Sequence, residues 1–358
     1  MNRPSRWHFP RTDLAQAYLQ QLEAGLNSIA IFAERRKGKT EFLTEDLQPC
    51  ARARGLRTAY INFWERKSDP VYCITQGVRR ALEADSPRLL RKWKKEFTIK
   101  LGVFQAKSTA SAEQHPEIAS EALDLLIAPK GGLLLMFDEI QHLATDPGYE
   151  ELIATLRTFL DSNKKKVRAV FTGSSQDRLN KIFRNQRAAF YRGASLVNFP
   201  DMGEDFIRFL VNNFTQLTTR NLPAERAFEI FAAHHHSPFV IVDLLQTMMG
   251  EGIYDFDEGL SFYLQVNNPN EQWQELWESL KPVDQLVLKL VILPSRPLYH
   301  IDTYQLIGDK LGIERVSRGV VQSSVRRLRE QGILNNEGRG QWTFESMDFK
   351  RFVSSDSD

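Results

Sequence analysis

Five short runs in the first two-thirds of the chain are apolar with little alternation: 28–32, 57–63, 132–137, 167–172 and 194–199. Between them lie longer stretches whose apolar residues return every three or four positions, as at 69–84 and 149–161. Apolar strands separated by helical patterns predict an α/β core, a parallel sheet covered by helices on both faces. From 201 to about 259 the pattern turns wholly helical, with Phe206, Phe209, Leu210 and Phe214 on one face, and predicts a small helical lid. Asn267-Asn268-Pro269-Asn270 then reads as a linker.

The remaining stretch has a different order. Helical periodicity covers 284–293, then 303–311 closed by Gly312, then 318–331 with Ser317 as its N-cap. Gly332-Ile333-Leu334 leads through a glycine-bearing tip at 335–341 into Trp342-Thr343-Phe344. Helix, helix, turn, helix and hairpin describe a winged helix-turn-helix. Arg318, Gln322, Arg326 and Arg327 on the third helix and Arg339 on the wing are donors that double-stranded DNA would need. The same surface suits a protein partner. The expected domains are 1–200, 201–266 and 267–358, with 354–358 as an unstructured tail. Between 88 and 116 the pattern loosens around Arg91-Lys92-Trp93-Lys94-Lys95, an insertion that is either a partner surface or a solvated excursion.

Composition narrows the class. The 358 residues are 42% hydrophobic and 26% charged, as in a soluble globular protein of two or three domains. A net charge of +2 carries no polyanion argument, which rests on local clusters instead. Cys50 and Cys73 form no CxxC spacing, so zinc and disulfide frameworks are not expected. No apolar run approaches the roughly 18 residues of a membrane helix, and the first residues lack a signal-peptide stretch, so a cytoplasmic protein is expected. His234-His235-His236 are read as helical neighbours that diverge, not as a metal site.

Chemistry enters at the end of the first run, in Ala33-Glu34-Arg35-Arg36-Lys37-Gly38-Lys39-Thr40-Glu41. Binding phosphate takes a strand, a tight loop whose amides face the anion, a lysine and a hydroxyl for Mg2+. Gly38 admits close backbone approach, Lys39 is the phosphate lysine and Thr40 the magnesium hydroxyl. A helix is expected over 39–47, stopped by Pro49. Ala33 departs from the GxxxxGK[ST] pattern by adding a Cβ where glycine is usual. The run 132–137 ends in Asp138-Glu139, and ionised acids there call for a cation or water. Asp138 is read as holding hydrated Mg2+ and Glu139 as polarising the attacking water. The run 167–172 ends in Gly173-Ser174-Ser175, where either Thr172 or Ser174 could orient the water or γ-phosphate, or an ordinary turn stands.

These segments resemble the AAA+/STAND superfamily of P-loop ATPases, most closely its archaeal-type ATPase family. The resemblance rests on 11–22, 33–40, 133–139, 171–175 and Phe190-Tyr191-Arg192-Gly193-Ala194, and spans roughly 9–260 plus a winged-helix tail. It implies ATP and Mg2+ bound between core and lid, a homo-oligomer, and Arg192 acting on a neighbour's nucleotide, with Arg187 the competitor or a plain surface arginine the alternative. His236-Ser237-Pro238 stands where the family begins a lid helix, without the arginine of a second sensor. The function implied is an ATP-hydrolysing switch that controls self-assembly and DNA engagement, in mobile-element or replication control. The alternatives are a defence or signalling ATPase that recruits a protein effector, or a non-hydrolysing scaffold.

Overall fold

Leu133, Leu135 and Phe137 are buried on one face of their strand, and Leu134 and Met136 on the other. This period-two division is what a central strand covered on both sides requires. The computed structural model describes residues 6–85, 90–91, 116–127, 131–144, 147–174, 176–186, 188–267, 269–293, 298–338 and 341–355. Most of the expected insertion, together with Ser175, Arg187 and Arg339, lies outside them. The chain forms two compact units, Met1–Leu245 and Gln246–Asp358.

The first unit contains a five-stranded parallel sheet in the order β2-β3-β4-β1-β5. The strands are β1 Ser28–Phe32, β2 Arg57–Asn62, β3 Leu133–Asp138, β4 Val167–Gly173 and β5 Ser195–Asn198. All five sequence runs are strands, with ends shifted by a residue or so. On one face lie α1 (Thr12–Glu23) and α2, which starts at Lys39. On the other lie α3 (Pro70–Asp85), α4 (Pro116–Asp124), α5 (Glu150–Ser162) and α6 (Gln176–Phe183). Phe171 anchors that second face, stacked on Phe137 at 5.3 Å and meeting Phe183 and Phe190 at 5.1 and 5.4 Å. Truncating such a ring to Ala costs about 3–5 kcal/mol.

α2 corrects the expectation that Pro49 ends the helix. An α-helical turn at Lys39–Glu41 passes into a π-helical stretch, Phe42–Leu47, and α-helix resumes over Gln48–Ala53. Pro49 sits inside this continuous helical run, which lacks the bond that an N–H at that position would have made. The wider turn ahead of it resets the ladder.

The stretch expected to form a lid contains α7 (Glu204–Thr218), α8 (Ala224–Ala233) and α9 (Pro238–Glu251). Phe206, Leu210 and Phe214 are buried as expected. The three histidines are not on a helix. α8 ends at Ala233, and His235 and His236 take left-handed φ values of 55° and 49° in the turn that follows. No group of three metal-binding side chains occurs among the described residues.

The second unit includes α10 (Phe256–Val266), α11 (Pro269–Ser279), α12 (Pro282–Ile292), α13 (Ile301–Leu311) and α14 (Arg318–Glu330). An antiparallel hairpin follows, β6 (Leu334–Gly338) with β7 (Gln341–Phe344), and then α15 (Met347–Ser355). Ser317 caps α14 by accepting from Val320 N–H, and Gly312 closes α13 at φ 72°. The expected tail from 354 is corrected. Phe349, Phe352 and Val353, spaced three and four apart, bury one face of α15 and carry the helix to Ser355. No helix among the described residues is long and apolar enough to cross a membrane.

Candidate functional site

Parallel strands present their C-terminal ends together, and the chemistry collects there. β1 runs into the loop 33–38, whose turn is set by φ of 63° at Arg36 and 81° at Gly38. Gly38 is needed for that conformation, since a Cβ there would make only an ordinary 3.7 Å contact with Met202. Ala33 keeps its backbone out of the left-handed region and packs on the α1 face, so its Cβ is accommodated. The Lys39 ammonium is buried and donates to the carbonyls of Ala33 and Glu34, both at 2.6 Å. Burial lowers its pKa, against the opposing pull of Glu139 and Asp138. A buried ammonium held only by the loop's own carbonyls fits an anion arriving in the loop.

Because β4 lies between β1 and β3, its C-terminal side chain sits between the loop and the acids. Asp138 is fully buried and accepts from three hydroxyls. Thr40 Oγ1 and Tyr60 Oη reach its Oδ2 at 2.7 and 2.8 Å, and Thr172 Oγ1 bonds its Oδ1. Burial, then the charge of Asp138, pushes the Tyr60 phenol pKa up, so it is a firm donor. A buried carboxylate beside threonine hydroxyls is the oxygen-rich donor set that suits a hard cation such as Mg2+.

Glu139 turns away from Asp138 because its φ is 58°. Its Oε2 accepts from Ser174 Oγ at 3.0 Å and from Gln141 Nε2, while its backbone N–H donates to Thr172 Oγ1 at 3.4 Å. Gln141 Nε2 also reaches Ser174 Oγ at 3.1 Å. A Cβ at Gly173 would stand 2.6 Å from Gln141 Oε1, so a larger residue there would push the Gln141 amide from its place. Thr172 and Ser174, open alternatives in the sequence, thus serve different acids.

Other expected residues are engaged elsewhere. Arg35 lies over Trp64 at 5.2 Å and Arg36 over Phe239 at 4.9 Å. Glu41 Oε1 accepts from His8 Nδ1 at 3.0 Å, and His8 Nε2 donates to Asp46 Oδ1 at 3.1 Å. Arg192 precedes the N-terminal end of β5, whose register with β1 puts it at the opposite end of the sheet from its own phosphate loop. It is exposed, over Tyr191 at 5.3 Å. On α14, Arg318, Gln322 and Arg326 are exposed. Arg327 is partly engaged elsewhere: Nε and Nη2 of its guanidinium are held by the buried Asp284, while 30% of the side chain stays exposed. Tyr60, Gln141 and His8 were not foreseen. Only the polar type of Tyr60 inside an apolar strand gave a signal.

The Gly-Lys-Thr loop after β1, the two acids ending β3 and the polar residue ending the interposed β4 sit on a parallel sheet that matches the α/β fold of AAA+ P-loop ATPases. Solved structures share it. A Walker-type ATPase of Pyrococcus abyssi matches with TM-score 0.59 and 17% identity over 98% of this chain and 100% of that one. The ORC2 protein of Aeropyrum pernix in its ADP form matches at 0.59 and 14% over 96% and 93%. The ORC1 protein of Aeropyrum pernix in complex with DNA matches at 0.50 and 16% over 99% and 98%. At these identities the likeness is one of fold. No protein-family model and no curated protein matches the chain.

Proposed function

We propose that the chain binds and hydrolyses ATP with Mg2+ and uses the nucleotide state to control self-assembly and engagement of DNA. The observation that carries this is the meeting of Thr40 and Thr172 on the two oxygens of the buried Asp138, beside the buried Lys39. Lys39 would leave the carbonyls of Ala33 and Glu34 for the β- and γ-phosphates. Thr40 Oγ1 and, through water, Asp138 would hold Mg2+, which supplies charge neutralisation on those phosphates. Glu139 Oε2, fixed by Ser174 and Gln141, would accept a proton from the attacking water. An Arg192 from a second copy would complete the site, since the chain's own Arg192 is at the far end of the sheet.

The reading toward DNA draws on two supports: the fold likeness to an ORC1 protein described in complex with DNA, and the exposed Arg318 and Arg326 of α14, read as the recognition helix of a winged helix. A second reading, a protein effector on this unit, is favoured by its exposed Ile301, Ile313 and Val320, at 54%, 50% and 41%.

The test is Lys39→Ala. It should abolish binding of a fluorescent ATP analogue while circular dichroism stays unchanged. Wild-type affinity in that variant would refute the site.

A further inference from the structure

Lys37 belongs to the phosphate loop, yet its side chain serves the lid. With 12% of that side chain exposed, its ammonium lies 2.7 Å from Asp201 Oδ1. It donates to the carbonyls of His235 and His236 at 2.5 and 3.5 Å, so its three protons have three acceptors. Both carbonyls belong to left-handed residues, φ 55° and 49°. Two successive non-glycine residues stay in that region only where their surroundings over-determine them. Beside this contact, Ser237 Oγ donates to the carbonyl of Arg36 at 3.4 Å, and the Arg36 guanidinium covers Phe239.

The lid helix that starts at this turn, α9, contains neither lysine nor arginine. It therefore brings no cation of its own toward a phosphate. The connection runs through the loop. Left-handed φ values at Arg36 and Gly38 flank Lys37 and turn it to the lid, whereas Lys39 folds back onto Ala33 and Glu34.

We propose that Lys37 is a positioning residue through which the lid reads whether the phosphate loop is filled. The inference rests on the nucleotide reading given above. An anion bound by the loop amides orders the backbone on both sides of Lys37, and an ordered loop holds the ammonium more firmly against Asp201 and the 235–236 carbonyls. The coupling is reciprocal, so the lid contact raises nucleotide affinity by the same factor. Asp201 is half exposed, which puts that factor near the low end of ordinary couplings, about fivefold.

Hydrogen exchange of the full chain, alone and with MgADP or magnesium AMPPNP, tests this alongside a fluorescent-nucleotide titration. In wild type, either nucleotide should raise protection at 234–239. Asp201→Asn should remove most of that rise and weaken nucleotide affinity about fivefold, with protection of the sheet strands unchanged. Ser237→Ala, which spares the ion pair, should keep most of it. An undiminished rise in Asp201→Asn, or bound nucleotide with no change at 234–239 in wild type, overturns the proposal. Wild type that binds neither nucleotide overturns the reading beneath it as well, and the titration distinguishes that outcome from an unmoved lid.

Discussion

Arg327 and Asp284 close a two-pronged ion pair inside the C-terminal unit, with Nε 2.8 Å from Oδ2 and Nη2 2.6 Å from Oδ1. Asp284 is 1% exposed and also accepts from Ser324 Oγ at 2.6 Å. Removing one partner of such a pair strands a buried charge. Arg327→Ala should therefore destabilise this unit by about 3 kcal/mol. Arg326→Ala, whose side chain is exposed, should stay within about 0.5 kcal/mol. Chemical denaturation of the full chain compares them.

DNA contact by α14 is best tested at Arg318 and Arg326, which are exposed. Replacing both with Ala should weaken binding to a DNA duplex and lower the log–log salt slope by about 1 for each lost contact. Identical salt curves for wild type and variant would assign α14 to a protein partner.

Much of this was legible where chemistry is written in contiguous residues. Gly38-Lys39-Thr40 and Asp138-Glu139 each follow an apolar run, and parallel strand ends bring such segments together whatever the loops between them. Tyr60 was not legible, because it reaches Asp138 only through the parallel register that pairs Asn62 with Asp138. His8 meets Asp46 from 38 residues away, across a π-helical stretch that period-3.6 reasoning does not anticipate. The pairing of Arg327 with Asp284 was not legible for a related reason. Helical spacing tells which residues share a face, and says nothing of a carboxylate 43 residues earlier that lies beneath it.

Glu139→Gln should retain nucleotide affinity and lose about 10²- to 10⁴-fold in turnover, the usual worth of a positioned general base. Single-turnover ATP hydrolysis measures it. Wild-type turnover in the variant would remove Glu139 from the chemistry.

His8 predicts how stability follows pH. Burial opposes its charge, but hydrogen bonds to Asp46 and Glu41 outweigh burial and raise its pKa from 6.5 to about 9. Both ring nitrogens face carboxylates, which only accept, so the folded protein favours the imidazolium. A raised folded-state pKa gives stability that is complete below pH 6.5 and lost as pH rises through about 9. The contribution is at most on the order of 3 kcal/mol. The melting temperature should fall across that window, and His8→Gln should flatten the fall.

Arg192 predicts complementation between copies. Arg192→Ala has an intact pocket and Lys39→Ala an intact arginine, so mixing the two inactive proteins should restore turnover above either alone. Verified mixed assemblies that remain inactive would remove the role in trans.

Asp138 receives hydroxyls from three separate elements: Thr40 of α2, Tyr60 of β2 and Thr172 of β4. A threonine hydroxyl ligates a cation through its oxygen and can leave its proton on a carboxylate, so a cation at Thr40 need not break the bond to Asp138. The carboxylate is therefore oriented before any cation arrives, and loading does not have to order it. Emptying the site leaves the same three hydroxyls on Asp138, so these strand ends keep their polar partners whether or not a ligand is present.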